Sequence, residues 1–359
     1  MADTGFIPKE KWATFIEVLS AKEQVHVPCL EGDMIIFRSF EKGRTLCFER
    51  PANMPPKAVI FPQSDTLFSF KFIKDPENPQ RVGVELTENK DFPKTILIGA
   101  RPCDAKGFTI YDRPYTETDT PDPYYKGRRE QTTILTLACQ DPSAGCFCTS
   151  VHSGPADKEG SDALITEVEK GYFVEILSEK SSTLLKEAGV EDGSAYQDEA
   201  HKNQEAARSA VKQPFADNLA PKVSKELYGN DEFWKEELAK CLSCGVCTYL
   251  CPTCYCFNIT DERATNRGER IRSWDSCMYQ HFTLDGSGHS PRSTKFLRFK
   301  NRIGHKFLFY PEKYNNAIAC CGCGRCVRFC PVSVDIREIV SKLQESGVSA
   351  AQQGGNDKS

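Results

Sequence analysis

Eight cysteines in the last third of the chain fall into two runs with one spacing. Cys241, Cys244, Cys247 and Cys251 stand in C-L-S-C-G-V-C-T-Y-L-C-P, and Cys320, Cys323, Cys326 and Cys330 in C-C-G-C-G-R-C-V-R-F-C-P. Both read C-x2-C-x2-C-x3-C-P, a spacing that suits two [4Fe–4S] clusters. Three thiolates separated by two residues wrap a tight loop around three corners of a cube. The fourth starts a helix, cannot reach round to the same cube, and ligates the other one. Cys241, Cys244, Cys247 and Cys330 are therefore expected to hold one cluster, and Cys320, Cys323, Cys326 and Cys251 the second. Pro252 and Pro331 turn the chain away after each crossing cysteine. Zinc asks for two C-x2-C pairs, not two full runs of four.

The remaining cysteines divide by context. Cys103 follows the apolar run Thr95–Ala100, and Cys139 follows Thr133–Ala138. If these runs are parallel neighbours, both thiols emerge at the carboxyl edge of a sheet, where open α/β sheets bind ligands. Cys146 and Cys148 lie just beyond Cys139, between Pro142 and Pro155. Cys103, Cys139, Cys146 and Cys148 thus form a candidate third [4Fe–4S] site, with four-cysteine zinc and free thiols as rivals. Cys254, Cys256 and Cys277 admit a zinc site with His281, plain packing near the clusters, or redox chemistry. Cys29 and Cys47 read as core residues, and Cys321 is expected to face away from its cube.

The elements that must position these thiols can be outlined. Trp12, Phe15, Ile16 and Leu19 recur at helical spacing behind Pro8. Strands are expected over Met34–Phe40, Thr45–Phe48, Ala58–Phe61, Leu67–Phe72, Arg81–Leu86 and Phe173–Leu177. The runs T-I-L-I-G-A and T-I-L-T-L-A suit central strands covered on both faces. Polar helices are expected between Ser182 and Lys212, and Asp231–Lys240 reads as a helix delivering the chain to Cys241. The expected organisation is an α/β domain over 1–230, with a mixed or parallel sheet. An α-helical, ferredoxin-like two-cluster domain follows over 231–340. A helix end and disordered tail occupy 341–359.

The chain has 359 residues, 18 cysteines and a net charge of −4. The start has no basic region followed by an apolar run, and no stretch has the uninterrupted apolar length of a membrane helix. These features point to a cytoplasmic protein without membrane insertion, and the charge argues against nucleic acid as a partner. Residues 252–319 form a long insert between the cysteine runs. Residues 261–313 carry eleven Lys or Arg against six Asp or Glu. Arg292, Lys295, Arg298, Lys300, Arg302 and Lys306 include no acidic neighbour, and Phe296, Phe299 and Ile303 fall at helical spacing. The stretch is expected to be an amphipathic helix whose basic face is either solvated or a docking surface.

Taken together, C-P-T-C-Y-C-F, R-S-W-D-S-C at 272–277, H-K-F at 305–307 and G-C-G-R-C-V-R-F-C-P resemble one family of dicluster iron–sulfur proteins. Its members include the sulfhydrogenase β subunit and the dicluster chains of two further systems. One is anaerobic sulfite reductase, and the other is the flavin oxidoreductase linked to heterodisulfide reductase. G-A-R-P-C-D at 99–104 and G-C-F-C-T-S-V-H-S-G-P at 145–155 resemble the family too, and the match runs from Ile96 to Ile336. Val151-His152 depart from the small or apolar pair expected there. The resemblance implies a companion subunit that carries FAD and binds NAD(P), built like a ferredoxin reductase. It also implies a hydrogenase, heterodisulfide reductase or sulfite reductase at the other end. The present chain has neither G-x-G-x-x-G opening a helix nor a P-loop, so it is expected to bind no flavin or nucleotide itself. A non-catalytic electron-transfer role is the first expectation. Reduction of a sulfur compound at the N-terminal cysteine site, with His152 and Asp141 nearby, is the alternative.

Overall fold

The two apolar runs form the centre of a mixed sheet. The computed structural model describes residues 4–78, 80–214 and 225–353. Strands β1 (Thr4–Pro8), β2 (Gln24–Glu31) and β3 (Met34–Ser39) are followed by β4 (Ser64–Lys74), β5 (Val82–Glu88), β6 (Thr95–Ala100) and β7 (Thr132–Leu137). Then come β8 (Ala163–Val168), β9 (Gly171–Ile176), β10 (Glu191–Asp192), β11 (Phe257–Ala264) and β12 (Arg267–Trp274). Eight of them form one sheet in the order β10-β1-β9-β8-β7-β6-β2-β3. Strands β2, β6, β7 and β8 run parallel, while β3, β9, β1 and β10 pair antiparallel at the flanks. Every residue of β6 and β7 is buried, as their unbroken apolar sequences require. Gly99, at φ +83°, marks a bulge where a Cβ would meet the Phe48 ring.

Helix α1 (Trp12–Ser20) buries Trp12, Phe15, Ile16 and Leu19 against this sheet. Helix α2 (Pro102–Tyr115) starts directly behind β6, with Pro102 at its first position and the Asp104 carboxylate accepting from the Arg101 N–H. Helices α3 (Pro123–Gln131), α4 (Glu179–Glu187) and α5 (Gln197–Ala210) complete the N-terminal half. Two expected strands fail for local reasons. Pro55 and Pro56 turn 56–59 into a 3-10 turn, and Leu46 makes a single bridge to Cys29. Strands β1 and β8 carry no clean alternation, and the alternation of Val25, Val27 and Cys29 in β2 is interrupted by Pro28.

The insert is not wholly helical. Strands β11 and β12 form a hairpin, and β12 pairs with β4, giving a second sheet in the order β11-β12-β4-β5. This sheet draws two strands from each side of residue 230. Further on lie the short helices α6 (Lys225–Gly229), α7 (Asp231–Glu237) and α8 (Val246–Tyr249), then α9 (Lys295–Gly304). A π-helical turn, His305–Phe309, leads α9 into α10 (Tyr310–Lys313), and α11 (Arg325–Arg328) precedes α12 (Ile336–Gln353). A separate core of Trp234, Leu238, Phe299, Ile303, Phe307, Ile339 and Leu343 supports the cysteine runs. The tail beyond Gln353 lies outside the described residues. Among the described residues no helix is long and apolar enough to cross a membrane.

Candidate iron–sulfur centres

The two C-terminal runs adopt one local conformation. Ser243 and Gly245 are left-handed in the first, at φ +54° and +76°, and Gly322 and Gly324 in the second, at +64° and +68°. These bends aim backbone amides inward: Ser243 N donates to Cys241 Sγ at 3.4 Å, and Gly322 N donates to Cys320 Sγ at 3.5 Å. Each loop ends on a one-turn helix, α8 or α11, carrying Cys247 or Cys326, and the two helices pack together. Burial raises the Cys247 thiol, with Cys241 and Cys244 as near charges. It pushes Cys320 up to about 11 and Cys326 to about 12, and Cys251 adds to both shifts. Cys251 raises Cys247 of the first run as well, so its charge reaches both runs. Val334 N donates to Cys330 Sγ at 3.2 Å.

The N-terminal set also converges. Cys103 lies in the first turn of α2 and Cys139 just past β7; because β6 and β7 are parallel neighbours, both emerge at one edge. Cys146 and Cys148 sit on the following loop, and all four cysteines line one narrow cavity with Arg101, Pro155 and Cys323. Burial raises Cys103 and Cys139, and pushes Cys148 up to about 12. His152 does not join them. It is exposed in a left-handed conformation at φ +55° and lines a neighbouring surface pocket with His201 and Arg208.

The cavity is closed from below by the second C-terminal run. Phe147 N donates to Gly322 O at 2.8 Å, and Cys146 Sγ lies 3.7 Å from Cys323 O. Cys321, expected to face away, is buried between Cys323 and Cys103. Arg325, 1% exposed, joins the two sites: it forms a bidentate ion pair with Asp104 at 2.6 and 3.2 Å and donates to Ala52 O at 3.0 Å.

Residues 240–334 match the 4Fe-4S dicluster domain family. Sulfhydrogenase 2 subunit beta of Pyrococcus furiosus is 31% identical over 301 residues, which cover 81% of this chain and 83% of that one. The chain belongs to the sulfhydrogenase β family. It is an iron–sulfur chain of the electron-transfer type, and no solved structure matches it significantly.

Three of the six basic residues of the stretch in this sulfhydrogenase β relative turn inward, so they take no part in a solvated or docking face, while Arg292, Lys295 and Lys300 stay partly exposed. Arg298, Arg302 and Lys306 are at most 8% exposed. Arg298 donates to Met278 O, Arg292 O and Ser293 O at 2.8–3.1 Å. Arg302 donates to Cys247 O at 3.0 Å, and its Nε and Nη1 have no partner among the described residues. Lys306 reaches Thr253 Oγ1 at 2.6 Å, Ala319 O at 3.0 Å and Cys251 Sγ at 3.5 Å. Burial works to lower Arg302 and Lys306, yet the surrounding thiols hold both well above their ordinary values. Lys57, 4% exposed, donates to Cys254 O at 2.9 Å and covers the Trp274 ring.

No carboxylate pairs Lys57, Arg101, Arg302 or Lys306 in the described residues. Isolated buried cations cost several kcal/mol each. Clusters ligated by four thiolates carry net negative charge, and unpartnered N–H groups beside them fit that charge. Arg101, Asp104 and Arg325 lie inside motifs the sequence makes visible. Lys57 sits in P-P-K-A and carries no such signal.

Proposed function

We propose that this chain is the electron relay of a redox complex and holds three [4Fe–4S] clusters. Cys241, Cys244, Cys247 and Cys330 hold the first, Cys320, Cys323, Cys326 and Cys251 the second, and Cys103, Cys139, Cys146 and Cys148 the third. The observation that carries this reading is the seating of the 145–148 loop on Gly322 and Gly324, which makes the second centre the middle of a line. Arg302 supports it further, since its charge faces Cys247 of one run and Cys326 of the other.

When bound, clusters of this kind pass one electron at a time. The chain's own residues fix the spacing of the centres, exclude water and supply buried positive charge. Zinc at the N-terminal site is less well supported. Four thiolates can also hold zinc tetrahedrally, but a zinc ion would not extend the line of one-electron centres.

The partners follow from the family. A flavin subunit that oxidises NAD(P)H would hand single electrons to one end of the line, and a hydrogenase-type subunit would exchange them at the other. The chain then binds no flavin or nucleotide alone and works in the cytoplasm.

Anaerobic iron analysis tests the cluster count: three centres require about twelve iron atoms per chain and two about eight. Cys251→Ser should remove the centre of the 320–326 run and spare that of the 241–247 run. Eight irons plus one zinc that is lost in Cys146→Ala would make the N-terminal site structural.

A further inference from the structure

Strand β5 is exposed along its whole length, and its outer edge pairs with nothing among the described residues. Its side chains nevertheless alternate in character. Val82, Val84 and Leu86 share one face at 52%, 56% and 60% exposure, and of the large apolar side chains described only Leu242 is more open. Across the ladder Val84 stands opposite Phe72 and Leu86 opposite Phe70, with Phe68 completing the row on β4. Cross-strand partners point the same way, so these six side chains make one continuous apolar face. The reverse face is polar: Glu85 stands opposite Lys71, and Thr87 opposite Ser69, which in turn faces Glu269. A sheet with one apolar face needs a second layer to bury it. The exposure of Val82, Val84 and Leu86 means that the described residues supply no such layer over β5.

The border of this face carries open positive charge. The Arg263 guanidinium lies 4.6 Å from the Phe72 ring centroid, and that of Arg270 lies 5.2 Å from Phe68. Both carboxylates on the border are already paired, Asp261 with Arg270 and Glu88 with Lys90, each at 2.7 Å. Arg263 Nε donates to Thr265 O at 2.9 Å, and among the described residues no carboxylate pairs Arg263 or Lys74. We propose that a companion subunit seats here, laying an amphipathic helix with flanking carboxylates along the Phe68–Phe72 and Val82–Leu86 rows. The apolar strip is two strands wide, about the diameter of one helix. A second copy of this chain would set Arg263 and Lys74 against like charges, whereas an acidic helix border complements them. The proposal rests on the relay reading for the existence of a companion; the cluster count does not enter. Strands β11 and β12 belong to the insert between the cysteine runs, so a subunit held here is tied to the half that carries them.

The test uses the full chain, tagged and purified without oxygen from its native host together with whatever it binds. A carbodiimide, which joins an amine directly to a carboxylate, should couple Lys74 to an Asp or Glu of a companion subunit. The coupled peptide should carry apolar residues at helical spacing. Leu86→Lys is expected to weaken the complex about tenfold or more, while Thr87→Lys, on the reverse face of the same strand, leaves it unchanged. Arg263→Glu should weaken it several-fold at low salt, with the difference shrinking as salt rises. A Leu86→Lys chain that keeps its companion as tightly as wild type overturns the face and leaves the relay standing. Coupling of Lys74 to a second copy of this chain overturns the heterologous partner. Binding to phosphatidylglycerol vesicles that Leu86→Lys abolishes overturns it in favour of a membrane surface. A wild-type chain that leaves its host alone overturns the companion of the relay reading itself.

Discussion

Gly322 and Cys148 meet backbone to backbone: a Cβ on Gly322 would stand 2.5 Å from both N and Cα of Cys148. The neighbouring Gly324 repeats the relationship against Gly145 O at 2.3 Å. Two glycines of one cysteine loop are thus the floor of the other cysteine site. Their left-handed φ values serve both loop and contact.

Gly322→Ala tests that seating. The left-handed φ and the backbone clash together are expected to cost on the order of 3 kcal/mol. Anaerobic urea melts should show the loss, and EPR should show the N-terminal centre disturbed while the 241–247 centre persists. An unchanged melt with all centres intact would mean the loops do not bear on each other.

Arg302→Met is expected to make the midpoint potentials of both C-terminal centres more negative, since a buried positive charge favours the reduced cluster. EPR-monitored potentiometry reads this directly. The variant should also lose stability if the guanidinium neutralises clusters. A gain in stability, with potentials unmoved at full iron content, would show that Arg302 was merely an uncompensated charge.

His305 gives the acid side of the stability profile. Burial, then the charges of Lys306 and Arg292, brings its imidazole from 6.5 down to about 4; Nε2 lies 3.1 Å from the Tyr255 hydroxyl. The folded pKa is depressed, so the unfolded chain binds the proton first as pH falls. Stability from this group is full above pH 6.5, declines between 6.5 and 4, and levels off below. The integrated loss is roughly 3 kcal/mol. Denaturant melts of wild type and His305→Gln should diverge in slope over that window alone; parallel profiles would refute the assignment.

The cysteine runs, the paired apolar strands and the helix α1 were legible because each depends on local spacing. Parallel pairing of β6 and β7 could be posed from sequence, since both runs are buried on both faces. What was hidden is of another kind. The periodicity of Phe299 and Ile303 located α9, but charge patterning assumes that Arg and Lys seek water. Here Arg298, Arg302 and Lys306 instead seek carbonyl ends and thiols, so that part of the face was misassigned. Lys57 and the β4–β12 pairing depend on partners about two hundred positions away, and no window of sequence contains both sides.

The second sheet also sets an order of assembly. Strand β12 lies between β11 and β4, so Ser64–Lys74 waits for Arg267–Trp274 to be synthesised before its inner edge is covered. Until then the nascent chain displays the β4–β5 hairpin with both edges open, a template for wrong pairing. By that point the first cysteine run has already been translated, whereas Cys320–Cys330 has not. With the proposed ligands, iron delivered early would find three cysteines of the first centre and not its fourth. Biogenesis is therefore expected to favour late, concerted metallation over stepwise loading during translation.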